Sequence, residues 1–215
     1  MSYIAERRLE EKEKRRVEIL EAAESVAAEV GTEAMTMDQV ARRARLSRAL
    51  LYVYFKDKPD LLFGISERAL TLLRTRFIEA VARHKTGLDQ IEAIGRAYVA
   101  FGQEFPVYFD VLGRFHAHEP QDLHDTDGTV MACVQAATRV HDVIVECINA
   151  GIADGSVRPD AGEPRVVSFA LYGMTHGTLQ VATTKAAVLP FHGVMPKALI
   201  EQGILMARRS LAAKP

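Results

Sequence analysis

The sequence predicts an all-α protein of about nine helices, and three observations carry that prediction. Apolar residues recur at three- and four-residue spacing along almost the whole chain. No stretch alternates apolar and polar residues as a half-buried strand would. Glycine and proline fall at the ends of the periodic segments, where helices stop and start.

The first segment opens on mixed charge, with Glu10–Lys14 and Glu11–Arg15 spaced acid before base for an exposed helix. It runs into an apolar stripe of Ile19, Ala23, Val26, Ala27 and Val30 and is expected to stop at Gly31. Two short segments follow near 37–44 and 48–55. A long helix opens at Pro59 and carries Leu62, Ile65, Ala69, Leu72, Leu73 and Phe77. Ile91, Ile94, Tyr98, Phe101 and Phe105 mark the next, which Pro106 closes while opening another. Residues 117–128 are polar and predict a loop. Val130, Cys133, Ala137, His141, Ile144 and Ile148 give a further helix closed by Gly151 and Gly155, and two more cover roughly 163–185 and 196–211.

Composition narrows the classes. Across 215 residues, 48% hydrophobic and 26% charged residues provide for a packed core and argue against a disordered chain. The 27 Lys and Arg against 28 Asp and Glu leave a net charge of −1, so a polyanion would have to meet a local patch. The charged N-terminus lacks the apolar core of a secretory signal, and no apolar run approaches the roughly 18 residues of a membrane span. Cys133 and Cys147 lie fourteen residues apart on one predicted helix. A rise of about 1.5 Å per residue sets them roughly 21 Å apart, beyond disulfide reach. A reducing, cytoplasmic address is expected.

The segment from Thr36 to Phe55 carries the most specific pattern. Thr36 and Gln39 have the spacing of a capping box, with Asp38 favourable in the first turn. Val40, Ala41 and Ala44 give the first short helix an inner face. Arg45-Leu46-Ser47 is a tight connector, and Ser47 suits the N-cap of the second helix. Two short helices with a minimal turn predict a helix-turn-helix over about 37–56, whose second helix enters the major groove. Between 36 and 58, Arg42, Arg43, Arg45, Arg48, Lys56 and Lys58 outnumber Asp38 and Asp57, a local charge of +4. Phosphate binding needs that concentration of charge.

Leu50 to Phe55 is a run of apolar and aromatic residues too long for one helix face to bury. With Leu51 and Phe55 turned inward, Arg48, Leu50, Tyr52 and Tyr54 are left at least partly outside. Tyrosine hydroxyls suit phosphate oxygens, leucine a thymine methyl, and arginine guanine. Lys58 is a cation at a positive helix end, a conflict that a DNA phosphate at the same place would remove. The expected DNA-contacting residues are therefore Thr36, Met37, Ser47, Arg48, Ala49, Leu50, Tyr52, Tyr54 and Lys58.

These residues resemble the tetracycline-repressor (TetR) family of bacterial transcription regulators. The resemblance covers about 15–75, from Arg16-Val17-Glu18-Ile19-Leu20-Glu21-Ala22-Ala23 through Gly31 and Thr36 to Leu51-Tyr52-Val53-Tyr54-Phe55-Lys56-Asp57-Lys58-Pro59-Asp60-Leu61-Leu62. Arg45 and Ala49 depart from it, standing where the family favours Gly, and Gly or Pro. At Arg45 the side chain must tolerate or avoid a positive φ. The resemblance implies a DNA-binding domain over 14–74 and a helical ligand-binding and dimerisation domain over 75–215. It also implies a four-helix bundle between subunits.

A symmetric dimer would set two recognition helices about one turn of DNA apart. Gly173 and Gly177, and the stripe Leu199, Gly203, Ala207 and Leu211, fit a dimer interface and equally fit close packing within one subunit. Tyr98, Phe101, Phe105, Tyr108, Phe115, His141, Tyr172 and His176 mix aromatic bulk with polar tips, as an effector pocket does and as an ordinary helical core also does. The cluster of His116, His118, Glu119, Asp122, His124, Asp125 and Asp127 is expected to be a solvated surface, with no metal or cofactor. No nucleophile elbow, phosphate-cradling glycine loop, zincin motif or Cys-x-x-Cys is present, so an enzyme is not expected.

The function these features predict is a homodimeric, ligand-responsive repressor. It would bind a palindromic double-stranded operator and leave it when a small-molecule effector binds. The competing reading is an all-α small-molecule binding or enzymatic protein with an incidental helix-turn-helix.

Overall fold

A computed structural model describes residues 3–115 and 128–213. Among them the protein is helical throughout, in the order α1 (Tyr3–Ala34), α2 (Met37–Arg43), α3 (Arg48–Tyr54), α4 (Lys58–Val81), α5 (Gly87–Glu104), α6 (Pro106–Phe115), α7 (Thr129–Asp154), α8 (Pro164–Thr184) and α9 (Pro196–Leu211), with a 3-10 turn at Leu189–His192 before α9. The one extended pairing among the described residues is an isolated antiparallel bridge between Val157 and Ala212. The chain divides into two compact units, residues 1–69 with 105–134, and residues 70–104 with 135–215.

The first unit is built on the apolar side of α1. Ile19, Leu20, Ala23, Val26 and Ala27 pack with Val40, Ala41, Leu51, Phe55, Leu61 and Ile65 in one core. Gly31 interrupts α1 with φ 83° and ψ 153°, a conformation that glycine alone adopts freely, so the regular helix ends where the sequence predicts. The ion pairs on the exposed part of α1 are Arg7–Glu11 at 3.0 Å and Arg15–Glu18 at 2.6 Å. The Glu10–Lys14 and Glu11–Arg15 pairs that the spacing permits do not form among the described residues.

The first compact unit runs to Ala69 and also takes in α6 and the start of α7. Three observations explain α6. Val111 is 2% exposed in the α1 core. Thr32 Oγ1 donates to Asp110 Oδ2, and the Tyr108 hydroxyl donates to Glu24 Oε1 at 3.0 Å.

The second unit holds α5, α8 and α9, which pack on one another, together with the end of α4 and most of α7. Gly87 and Gly151 let α5 approach α7 closely: a Cβ on Gly87 would lie 2.1 Å from the Gly151 amide nitrogen. Arg208 ties α9 to α5 through Asp89 and Glu92, each at 2.8 Å. Arg96 extends that network to Glu201 at 3.1 Å.

Candidate nucleic-acid interface

Local capping chemistry sets the helix-turn-helix. The Thr36 side chain accepts from the Gln39 amide at 3.3 Å, while Gln39 Oε1 accepts from the Thr36 amide at 2.8 Å, closing the capping box. Ser47 Oγ accepts from the Leu50 amide at 3.1 Å and starts α3. Between them Arg45 adopts φ 56°, so arginine occupies the left-handed turn position in place of glycine. The Leu46 amide donates to Ala41 O at 2.9 Å, closing the turn. Asp57 Oδ1 accepts from the Asp60 amide at 2.8 Å, capping α4.

Helix α3 is anchored on one side and open on the other. Leu51 and Phe55 are fully buried, one turn apart. Leu50 and Tyr52 are each 39% exposed and Val53 72%, while Ser47, Arg48 and Ala49 are exposed. Tyr54 is half-buried and packs against the core. Thr36 is exposed, but its side chain and amide serve the cap. Met37 is 8% exposed and belongs to the core, which leaves it little surface for DNA.

The cations of this segment divide by their partners. Arg43 is held by Ser25 and by Glu29 at 2.6 Å. Arg48 Nε lies 3.2 Å from Asp38 Oδ1, and its guanidinium sits over the Tyr52 ring at 5.6 Å. The Tyr52 hydroxyl and Asp38 push its pKa up, so it stays charged. Arg42, Arg45 and Lys56 are exposed and form no ion pair among the described residues. Lys58 Nζ donates to the Glu33 carbonyl oxygen at 2.6 Å, which offsets its position at the start of α4 without any ligand.

The residues expected for effector binding separate between the units. Tyr98, Phe101, His141, Tyr172 and His176 fall in the second, and Phe105 and Tyr108 in the first. Tyr108 serves the first unit's own structure through Glu24, and the side chain of Phe115 lies outside the described residues. In the second unit the Tyr98 hydroxyl and His176 Nδ1 are 2.7 Å apart. Burial holds the Tyr98 phenol well above its ordinary pKa, so it remains a donor. His141, 7% exposed, has Nδ1 at 3.1 Å from Ser168 Oγ. Ser168 Oγ gives its only proton to Arg165 O at 2.7 Å, which assigns the shared hydrogen to His141 Nδ1. Phe169 stacks on the His141 ring at 3.8 Å. A separate groove of about 480 Å³ in this unit, with Ile78, Val143 and Cys147 in its lining, contains none of the residues expected for the effector.

Of the expected dimer residues, Gly203 is used inside the chain: a Cβ there would lie 2.9 Å from Thr178 Cγ2. At Gly173 and Gly177 a Cβ would meet nothing within 4 Å among the described residues. They lie on a side of α8 that also carries exposed Val166, Phe169, Met174 and Val181. Leu199 and Ala207 are half-buried. The 116–127 cluster lies outside the described residues.

Comparison with known proteins places the motif. Residues 19–65 match the sequence family described as bacterial regulatory proteins, tetR family. Over that segment the chain matches the TetR family. The same part is 45% identical over 51 residues to the HTH-type transcriptional regulator HbdR of Aromatoleum sp. (strain CIB), a match spanning 24% of this chain and 22% of that regulator. Solved structures share the fold along nearly the whole length. A protein of unknown function from Rhodococcus sp. RHA1 superposes with a TM-score of 0.71 at 21% identity, covering 92% of this chain and 95% of the other. The ketosteroid transcriptional regulator KstR2 of Mycobacterium tuberculosis gives 0.63 at 20% identity, with 93% and 96% covered. The fold is all-α, as the sequence predicts.

Proposed function

We propose that this TetR-family chain is a DNA-binding transcriptional regulator without enzymatic activity, acting in the cytoplasm as a homodimeric repressor of a palindromic operator. The observation that carries this reading is the construction of α3. It is capped by Ser47, clamped by Leu51 and Phe55, and presents Arg48, Leu50 and Tyr52 outward beside Arg42, Arg45 and Lys56, which pair with no acid among the described residues. Arg48 and Leu50 would meet base edges, while Tyr52, Tyr54 and the two remaining Lys58 protons would meet phosphates. Thr36, Ser47 and Ala49 flank that surface.

Dimerisation is supported by the open side of α8. Val166, Phe169, Met174 and Val181 expose 41–66% of their surface around two glycines that no described residue of the chain covers. Such an apolar side on a helix marks an interaction surface. A second copy would bury it and pair the recognition helices. Release would follow when a small-molecule effector, engaging the Tyr98, His141, Tyr172 and His176 group, favours a conformation that cannot span both half-sites. Helix α4 contributes residues to both units and would carry that change.

The test is selection of duplexes by the full-length protein from a random 40-bp pool. An inverted repeat with half-site centres about one or two helical turns apart supports the reading. Failure to enrich any sequence, with no salt-sensitive binding to the pool, contradicts it.

A further inference from the structure

Before its first fully buried residue, Ile19, helix α1 carries an exposed stretch whose side chains are described from Ala5 onward. Residues 5–14 are all exposed. The proposed recognition surface does not include this arm. Two rows of like charge run along it, with Arg7, Glu11 and Lys14 in the sector between them and Arg7 paired to Glu11. Arg8, Lys12 and Arg15 are spaced i, i+4, i+7 and so share one side of the helix, and Glu6, Glu10 and Glu13 repeat the same spacing two positions earlier. Two positions at about 100° each put the acidic row about 160° around the helix from the basic row. Arg15 bonds Glu18 at 2.6 Å, whereas Arg8 and Lys12 form no ion pair among the described residues.

The root of the arm lies against the end of the recognition helix. The Arg16 guanidinium sits 5.3 Å from the centre of the Phe55 ring, the residue that caps α3, and pairs with Glu67 at 3.3 Å. From Arg16 back to Ala5 the helix extends about 16 Å, close to five base-pair steps of 3.4 Å. By helical spacing the basic row falls on the same side of α1 as the core residues Ile19 and Val26.

We propose that this arm is a second DNA contact, in which Arg8 and Lys12 bind backbone phosphates flanking the bases that α3 reads. This rests on the DNA-binding reading above and extends it. The occupant is duplex DNA because Arg8 and Lys12, exposed cations with no ion pair among the described residues on an arm rooted beside α3, complement a phosphate backbone, while the acidic row on the far side would be turned away from it. The contact adds affinity and salt dependence, and it carries no sequence preference.

The experiment measures binding of full-length protein to a fluorescent random-sequence 40-bp duplex between 50 and 300 mM salt. It compares the wild type with Arg8→Gln/Lys12→Gln, Glu6→Gln/Glu10→Gln and Tyr54→Phe/Lys58→Gln. The inference expects the basic-row variant to bind at least about tenfold more weakly at 100 mM salt, with the log–log slope reduced by about one for each phosphate no longer neutralised. The acidic-row variant should bind as tightly as the wild type or tighter. Unchanged affinity and slope in the basic-row variant, while Tyr54→Phe/Lys58→Gln weakens binding, overturns the arm contact and leaves the DNA reading standing. Equal weakening by the acidic-row variant overturns the assignment to the basic row. Absence of binding by the wild type overturns both readings. Helical content measured by circular dichroism keeps loss of the arm's helix separate from loss of its charge.

Discussion

The ammonium of Lys58, in the first turn of α4, donates to the main-chain carbonyl oxygen of Glu33 at the end of α1, 2.6 Å away. A cation at a helix N-terminus is ordinarily unfavourable, and here it is offset by a carbonyl that no helical amide satisfies. Two protons of the ammonium remain for other acceptors. Lys58 therefore joins two jobs, closing α1 against α4 and offering charge at the proposed DNA surface.

Replacement of Lys58 by Gln is expected to lower unfolding free energy by about 1 kcal/mol, the scale of one exposed charge-assisted hydrogen bond. It should also reduce the salt slope of DNA binding by about one. Urea denaturation followed by circular dichroism and fluorescence titration against salt check the two effects separately. A change in DNA binding with no change in stability would show that the Glu33 contact does not hold in solution.

Tyr108 offers a pH test. Burial first, and the Glu24 carboxylate second, push its phenol up to about 12 from the ordinary 10.0. The folded protein holds this proton more tightly than the unfolded chain. That contribution to stability is whole below pH 10 and disappears as pH rises through about 12. Urea midpoints measured across pH 9–12 should fall more steeply for the wild type than for Tyr108→Phe. Parallel curves would contradict the burial of this hydroxyl.

The open side of α8 gives the sharpest test of assembly. Gly173 has nothing described within 4 Å of where a Cβ would stand, so Gly173→Glu fits the single chain and improves helix propensity by up to about 1 kcal/mol. In a dimer the same carboxylate would be buried without a partner. Light scattering after size-exclusion chromatography should show a dimer for the wild type and a well-folded monomer for the variant. A wild-type monomer at tens of micromolar would contradict the assembly.

Much of this architecture is legible in sequence because its determinants are local. Thr36 and Gln39, Ser47 and Leu50, and Asp57 and Asp60 each complete a cap within three residues, so spacing alone places α2, α3 and α4. The inward pair Leu51 and Phe55 follows from helical geometry in the same way. What spacing could not place depends on distant partners. The Lys58 acceptor is a backbone carbonyl 25 residues away. Helix α6 joins the first unit through Thr32–Asp110 and Glu24–Tyr108, bonds that cross 78 and 84 residues.

The glycines show the same limit. Gly173, Gly177 and Gly203 all sit at close-packing spacing in sequence, yet among the described residues only Gly203 meets another helix of its own chain, through Thr178. The phenols of Tyr98 and Tyr108 look alike in sequence. One faces His176 and the other Glu24, so aromatic spacing could not separate a candidate effector group from a structural contact.

The central claim is that α3, presented twice, reads bases. Selection from a random 40-bp duplex pool by the wild type and by Arg48→Ala in parallel tests it most directly. The variant is expected to recover the same inverted repeat with base preference lost at one position, mirrored in both half-sites. Identical preferences in the two selections, at undiminished affinity, would contradict it.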